Sequence, residues 1–214
     1  MKTQTLETQQ QLTPQGALEL LKEGNARFRE NVKAQRDLMQ QVSETSDGQW
    51  PLAVVLSCID SRTSTELIFD QGIGDIFSAR VAGNFINDDI LGSMEFACKV
   101  AGAKLVVVLG HSHCGAVKGA CDNVELGLLT GMLEKIQPAV NAVTSPADAA
   151  DRTSANPDFV ADVARTNVLR NVAGVTSRSE VLREMAESGS IQIVGGMHDL
   201  ASGAVEFYQS FEVQ

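Results

Sequence analysis

Two short segments about fifty residues apart constrain this chain more than any other feature: Ser57-Cys58-Ile59-Asp60-Ser61-Arg62 and Gly110-His111-Ser112-His113-Cys114-Gly115. Each follows an unbroken apolar run, Leu52-Ala53-Val54-Val55-Leu56 and Leu105-Val106-Val107-Val108-Leu109. A run that is apolar at every residue, not at alternate ones, reads as a strand buried on both faces. Such strands belong to parallel, helix-covered sheets. In an open sheet of that kind, sites form just beyond the carboxyl ends of the strands, where the strand order reverses. Cys58, His111 and Cys114 all fall there. If the two strands are neighbours, their ends lie about 5 Å apart, and the three side chains can share one ion. Another strand intervenes in sequence, so the order must switch at this point. Two thiolates and one imidazole make a zinc set one ligand short of a closed structural site, leaving a place for a water that zinc acidifies.

The rest of the chain alternates strand and helix. Residues 1–13 are polar and carry no apolar period. From Pro14, Leu18, Leu21, Phe28 and Val32 recur at roughly helical spacing, which predicts an amphipathic helical arm over 14–42. That arm packs either on its own domain or on a partner subunit. Residues 43–50 read as a loop. Strands are expected at 52–57, 76–81, 104–109 and 191–194, with a weaker edge strand at 204–207. Thr63-Ser64-Thr65-Glu66 reads as a capping box opening a short helix. Asn87 caps a helix that runs to about Ala101, where Gly102 ends it. Another helix starts near Cys114, and Gly127 to Val140 is helical, ending before a Ser145-Pro146 turn. Asn156-Pro157-Asp158 opens a helix with an apolar face at Phe159, Val163, Val168 and Val172. Ser177-Arg178-Ser179-Glu180 is a second capping box, and Gly189 closes the helix it opens. The expected fold is α/β: a mostly parallel four-stranded sheet with an added edge strand, helices on both faces and an N-terminal helical arm. The division is an arm at 1–48 and an α/β zinc-binding catalytic domain at 49–214.

Composition removes several function classes. A net charge of −10 without a basic stripe, and 5% aromatic residues, leave neither the electrostatic footprint nor the stacking platform of a nucleic-acid binder. No apolar stretch approaches membrane-spanning length, and the N-terminus lacks the apolar core of a signal peptide. The expectation is no membrane and a reducing cytoplasm, which suits thiolate ligands. The four cysteines include no C-x-x-C pair, so a thioredoxin-like redox role is out. Cys98 and Cys121 read as core residues.

The motif residues divide into ligands and helpers. Cys114 falls near a helix N-terminus, where the dipole favours thiolate. A site with two thiolates is electrically neutral and a weaker Lewis acid than one with three histidines, so a neighbour must help orient the bound water. Asp60 and Arg62 fit: an arginine pairing both carboxylate oxygens holds the acid away from the metal's fourth position, yet close enough to accept a hydrogen bond. His113 is aimed away by its register. His198 is expected to bond backbone instead of lining a pocket. A cysteine phosphatase is excluded, since its C-x5-R loop needs arginine where Ser64 stands.

Together these motifs resemble those of the β-class carbonic anhydrases, and the match runs from about Gln49 to Phe207. The resemblance implies Cys58, His111 and Cys114 as ligands of one zinc per subunit and Asp60 with Arg62 as the catalytic dyad. Gln49 matches a glutamine whose amide faces the substrate. Phe77 and Val81 fall at pocket positions, and Gly115, closing the second motif, is placed with them. Arg80-Val81-Ala82-Gly83-Asn84 is similar to the family's R-N-A-G-N, and Gly92-Ser93-Met94-Glu95-Phe96 to its G-S-L-E-Y, where Phe96 lacks the tyrosine hydroxyl. Gly196-Met197-His198-Asp199 resembles a G-x-x-D segment. Regulated members carry a tryptophan three residues before the first ligand. Val55 stands there, and Trp50 cannot substitute, so the implied subclass is the plant-type-like one with an open site. The implied function is zinc-dependent reversible hydration of CO2 to bicarbonate and a proton. The implied assembly is a homodimer through N-terminal arms, extending in some members to a dimer of dimers. The rivals are hydrolysis of carbon disulfide or carbonyl sulfide at the same site and a non-catalytic zinc or bicarbonate-binding protein. The intact Asp60 and Arg62 argue against the last.

Overall fold

The computed structural model describes residues 3–208; the outermost residues of the expected arm and domain, 1–2 and 209–214, lie outside them. Among these residues, five strands form one sheet: β1 (Ala53–Ser57), β2 (Ile76–Arg80), β3 (Leu105–His111), β4 (Gln192–His198) and β5 (Val205–Tyr208). Their order is β2-β1-β3-β4-β5. The first four are parallel, and β5 runs antiparallel to β4 at the edge. The expected architecture holds. β1 and β3 are neighbours with Ser57 opposite Leu109. The chain leaves β1 to one side for β2 and crosses back to the other for β3, so the order reverses where the two motifs meet. Every residue of β1 and β3 is buried, which is why both read as unbroken apolar runs. β4 continues four residues past the expected 194. Its extension carries Gly195, where an added Cβ would lie 2.8 Å from Val168. Glycines that admit a close helix erased the apolar signal there.

Among the described residues, ten α-helices surround the sheet: α1 (Leu6–Gln11), α2 (Pro14–Arg29), α3 (Leu38–Glu44), α4 (Thr65–Ile68), α5 (Asp88–Glu95), α6 (Gly115–Cys121), α7 (Gly127–Leu133), α8 (Gln137–Ala142), α9 (Pro157–Arg178) and α10 (Glu180–Glu187). One sheet face packs Ala53, Val55, Leu105, Val107 and Leu109 against Ala17, Leu18 and Leu21 of α2 and Ile68 of α4. The other packs Val54, Leu56, Val106 and Val108 against α5, α9 and α10. A third cluster, from α6, α8 and α9 with Phe85, closes around Cys58 and Cys114 at the carboxyl end of the sheet.

The arm differs from its expectation in two ways. Residues 1–13 include a helix: Thr5 caps α1 by accepting from Thr8, and the buried Gln9 amide donates to Pro51 O and Ala101 O at 2.8 Å each. The 14–42 helix is broken between α2 and α3. The break wraps Asp70, whose carboxylate accepts from Arg27 Nε (2.6 Å), Arg36 Nη1 (2.6 Å) and the Ala34 amide (3.1 Å). A continuous helix cannot present all three donors to one carboxylate. α2 belongs to its own domain's core. Within 14–42, the large apolar residues left exposed are Val32, Leu38, Met39 and Val42, from the break onward.

Helix caps follow the sequence where one side chain suffices. Asn87 accepts from Ile90 and Asn156 from Phe159. The two capping boxes do not form. Thr63 turns its hydroxyl to Cys58 O and Asp60 O, so the cap position of α4 passes to Ser64. Ser177 and Arg178 still belong to α9, and Ser179 caps α10 by accepting from Leu182. The expected 127–140 helix is two, α7 and α8. After Asn87 the helix widens into one turn, Phe96–Val100, before Gly102 at φ 81° releases the chain.

Candidate metal centre

Cys58 follows the last residue of β1, His111 ends β3 and Cys114 caps α6. Sheet register brings Cys58 and His111 together, the turn after β3 adds Cys114, and the donor atoms of all three lie within 4.8 Å of one another. All three are buried, with at most 4% exposure. The two sulfurs stand 4.0 Å apart. Two thiolates each about 2.3 Å from one tetrahedral zinc stand about 3.8 Å apart. His111 Nδ1 lies 3.0 Å from Ser112 O, while the buried Nε2 has no hydrogen-bond partner. A ring that donates Nδ1–H to a carbonyl presents Nε2 as a metal donor in a fixed tautomer. An orphaned imidazole nitrogen beside two thiols costs stability unless something binds it. The residues therefore fit a zinc ion.

Cys114 donates to Cys58 and lowers its pKa, helped against burial by His111 and by the Gly83 amide, 3.3 Å from the sulfur. Cys114 is pushed up by that same donation, by burial and by the Cys58 charge, against the helix amides of Val117 and Ala116. The dipole expected to favour its thiolate is thus outweighed until a cation neutralises the pair.

Asp60 stands beside this set. Arg62 pairs both its oxygens, Nε to Oδ1 at 2.9 Å and Nη2 to Oδ2 at 2.8 Å, and its backbone amide adds a third bond to Oδ1 at 2.9 Å. Those Arg62 side-chain bonds hold the carboxyl well below the usual carboxylate range, against partial burial, and the Arg62 amide adds to them. Asp60 Oδ2 lies 4.0 Å from His111 Nε2. Around the loop, Arg80 at the end of β2 donates from Nε to Cys58 O (2.9 Å) and from Nη2 to Asp60 O (2.6 Å).

The other expected residues are spread out. Val81 packs against both the sheet core and the cluster holding Cys58, Cys114 and Phe85. Gly115 is exposed beside Cys114, with open space where a Cβ would stand. Phe77 pairs with Val54, three positions back from Arg80 on β2, and meets Phe96 edge-on at 6.1 Å. These two line a 660 Å³ groove with Ser78, Asp89 and Ser93. Gln49 is exposed, and it and Cys58 flank opposite ends of β1. His113 is exposed at φ 57°. His198 does not bond backbone: it lies opposite His111 in the ladder, 3% exposed, with neither ring nitrogen partnered. Burial pushes its pKa down. Cys98 and Cys121 are buried, their thiols pushed up to about 12 and about 11 by burial. The tie made by Arg80 was not visible in sequence, because its pairing with Ser57 depends on β2 lying beside β1.

Comparison with known proteins agrees with this geometry. The sequence profile of the family described as carbonic anhydrase matches residues 53–205. Carbonic anhydrase 2 of Mycobacterium tuberculosis is 37% identical over 202 residues, covering 89% of this chain and 90% of that protein. The carbonic anhydrase of Mycolicibacterium smegmatis is 36% identical over 200 residues, covering 90% and 92%. The crystal structure of the β-carbonic anhydrase CafA of Aspergillus fumigatus superposes with a TM-score of 0.72 at 28% identity, covering 92% of this chain and 91% of that one. A three-donor centre at the reversal point of this sheet, in a chain so matched along most of its length, makes the protein a member of the β-class carbonic anhydrase family.

Proposed function

We propose that the protein catalyses the reversible hydration of CO2 to bicarbonate and a proton, with one zinc per subunit held by Cys58, His111 and Cys114. The observation that carries the reading is the pairing of a three-donor set with an acid tied beside it. Asp60 lies 4.0 Å from His111 Nε2 yet is locked to Arg62 by both oxygens. When bound, zinc supplies an acidified water as nucleophile. Ionised throughout the working range, Asp60 is a hydrogen-bond acceptor only. It would accept the O–H of such a nucleophile and so orient it toward the CO2 carbon. Arg62, holding both Asp60 oxygens, would keep the carboxylate from binding an ion held by Cys58, His111 and Cys114. Val81 and Phe85 give the site an apolar wall, which suits CO2 better than the bicarbonate anion, and the open space at Gly115 gives an approach. Val55 is fully buried against α2 and offers no wall to a regulatory bicarbonate pocket, which supports an open resting site.

The assembly that completes the site is a homodimer. The exposed Val32, Leu38, Met39 and Val42 form the arm's contact surface. Gln49, at the far end of β1 from its own Cys58, lends its amide to the partner subunit's CO2. Phe77 lines the groove at the same edge. Four free, buried cysteines suit a reducing cytoplasm, and no helix among the described residues is long and apolar enough to cross a membrane. Stopped-flow hydration of CO2 by the zinc-loaded protein tests the reading, beside sulfide release from carbon disulfide and carbonyl sulfide. Fast hydration lost on chelation is the expected result. Hydration no faster than buffer overturns it.

A further inference from the structure

We propose that Arg80 is a positioning residue for this centre: its guanidinium ties the loop carrying Cys58 and Asp60 to the end of β2 and so sets where the Asp60 carboxylate stands. The inference rests on the reading of the site given above, and it concerns a part of the chain that does not touch the reacting atoms.

The loop from Cys58 to Arg62 has little apolar anchorage. Ile59, its one large apolar side chain after Cys58, is 62% exposed. Its position depends on polar ties. Thr63, buried at 1% exposure, donates its amide to Asp60 O at 3.0 Å and its hydroxyl toward Asp60 O (2.9 Å) and Cys58 O (3.2 Å). These ties are local: they close the turn on itself and move with it. The Gly83 amide comes from outside but reaches the Cys58 sulfur, not the Asp60 end of the loop. Arg80 alone among these groups joins the backbone of both functional residues to the sheet. Its Nε reaches Cys58 O at 2.9 Å and its Nη2 reaches Asp60 O at 2.6 Å. The planar fork fits two carbonyls at a fixed separation, which an ammonium cannot match. Both acceptors are neutral carbonyls, so the guanidinium keeps its positive charge beside the loop. Two arginines thus divide the work. Arg62 fixes the Asp60 carboxylate, and Arg80 fixes the backbone from which it projects.

A displacement of about 1 Å at a reacting group costs on the order of 100-fold in rate. Arg80→Gln removes one tie and the charge, and is expected to lower kcat/KM by roughly 10- to 100-fold, mostly through kcat. Arg80→Lys keeps the charge without the fork and is expected to fall between Arg80→Gln and the unmodified protein. Zinc content and melting temperature should stay near those of the unmodified protein in both. The visible spectrum of the cobalt-substituted protein reports the ligand set without turnover, and its bands should shift in Arg80→Gln. Guanidinium chloride, compared with sodium chloride at equal ionic strength, should restore rate and bands in Arg80→Gly. Unchanged kcat/KM with unshifted cobalt bands overturns the assignment. So does a loss in both Arg80→Gln and Arg80→Lys that matches a loss of zinc or of folded protein, or a failure of guanidinium to restore an otherwise folded, metal-loaded variant. If the unmodified protein does not hydrate CO2, the functional reading fails. The cobalt bands then decide the role of Arg80 alone.

Discussion

The dyad makes a ranked prediction, because Asp60 is tied to Arg62 in two separable ways. Asp60→Asn keeps the shape but replaces one acceptor oxygen by an NH2, which must oppose either the Arg62 guanidinium or the nucleophile. Losing a positioned acceptor of this kind costs typically 100- to 10,000-fold, about 2.7–5.4 kcal/mol of barrier. Arg62→Ala removes the side-chain bonds at 2.9 and 2.8 Å but leaves the backbone amide on Oδ1 at 2.9 Å. Asp60 then stays partly oriented, and the loss is expected to be roughly tenfold smaller than that of Asp60→Asn. The Arg62 side chain is 56% exposed, so the pair contributes little to folding, and neither change should move the unfolding midpoint appreciably. Because Arg62 acts through Asp60, removing it from an Asp60→Asn background should cost almost nothing further, a coupling that the double-mutant cycle reads directly. Stopped-flow hydration with zinc analysis on the four proteins is the assay. The reasoning is refuted by an Asp60→Asn enzyme within threefold of wild type, by Arg62→Ala costing more than Asp60→Asn, or by losses that multiply in the double variant.

Three further outcomes follow from the packing and charges. Cys58→Ser should abolish stoichiometric zinc binding along with hydration, since only one sulfur then remains for the ion, and metal analysis after gel filtration checks it. Gly83→Ala forces a side chain into φ 82°, with its Cβ 2.4 Å from Ile136 Cδ1. Strain and overpacking together should cost about 2–4 kcal/mol, and an unshifted urea midpoint contradicts this. Burial opposes ionisation of Asp70, but Arg36, Arg27 and the Ala34 amide more than offset it, so its folded pKa lies below the ordinary one. Its stabilisation is therefore complete above the ordinary carboxylate pKa near 4 and fades as pH falls through the depressed value. Thermal melts between about pH 6 and pH 3 should show a shallower acid-side decline for Asp70→Asn than for wild type.

What was legible in the sequence was local to strand ends. β1 and β3 announced themselves because both faces are covered, and the three ligands followed because each sits within a few residues of a strand terminus. What was not legible depended on partners distant in sequence. α2 and α3 separate around Asp70, more than thirty residues beyond the break. Gln9 orders α1 through carbonyls at Pro51 and Ala101, so a polar stretch became helix without any apolar period. Thr63 offered a capping box but spends its hydroxyl on the loop that carries Asp60. His198 looked like a backbone-bonded residue because nothing in its own segment shows that the ladder sets it opposite His111. Arg80 is the sharpest case. Side chains alternate along a strand, so a one-residue slip of β2 against β1 puts Ala79 or Val81 opposite Ser57 and turns the guanidinium to the other face. Both carbonyl ties then go, while every ligand keeps its place. The register of one edge strand thus carries part of the site: the segment similar to R-N-A-G-N contains Arg80, but what Arg80 ties depends on the packing that makes Ser57 face it.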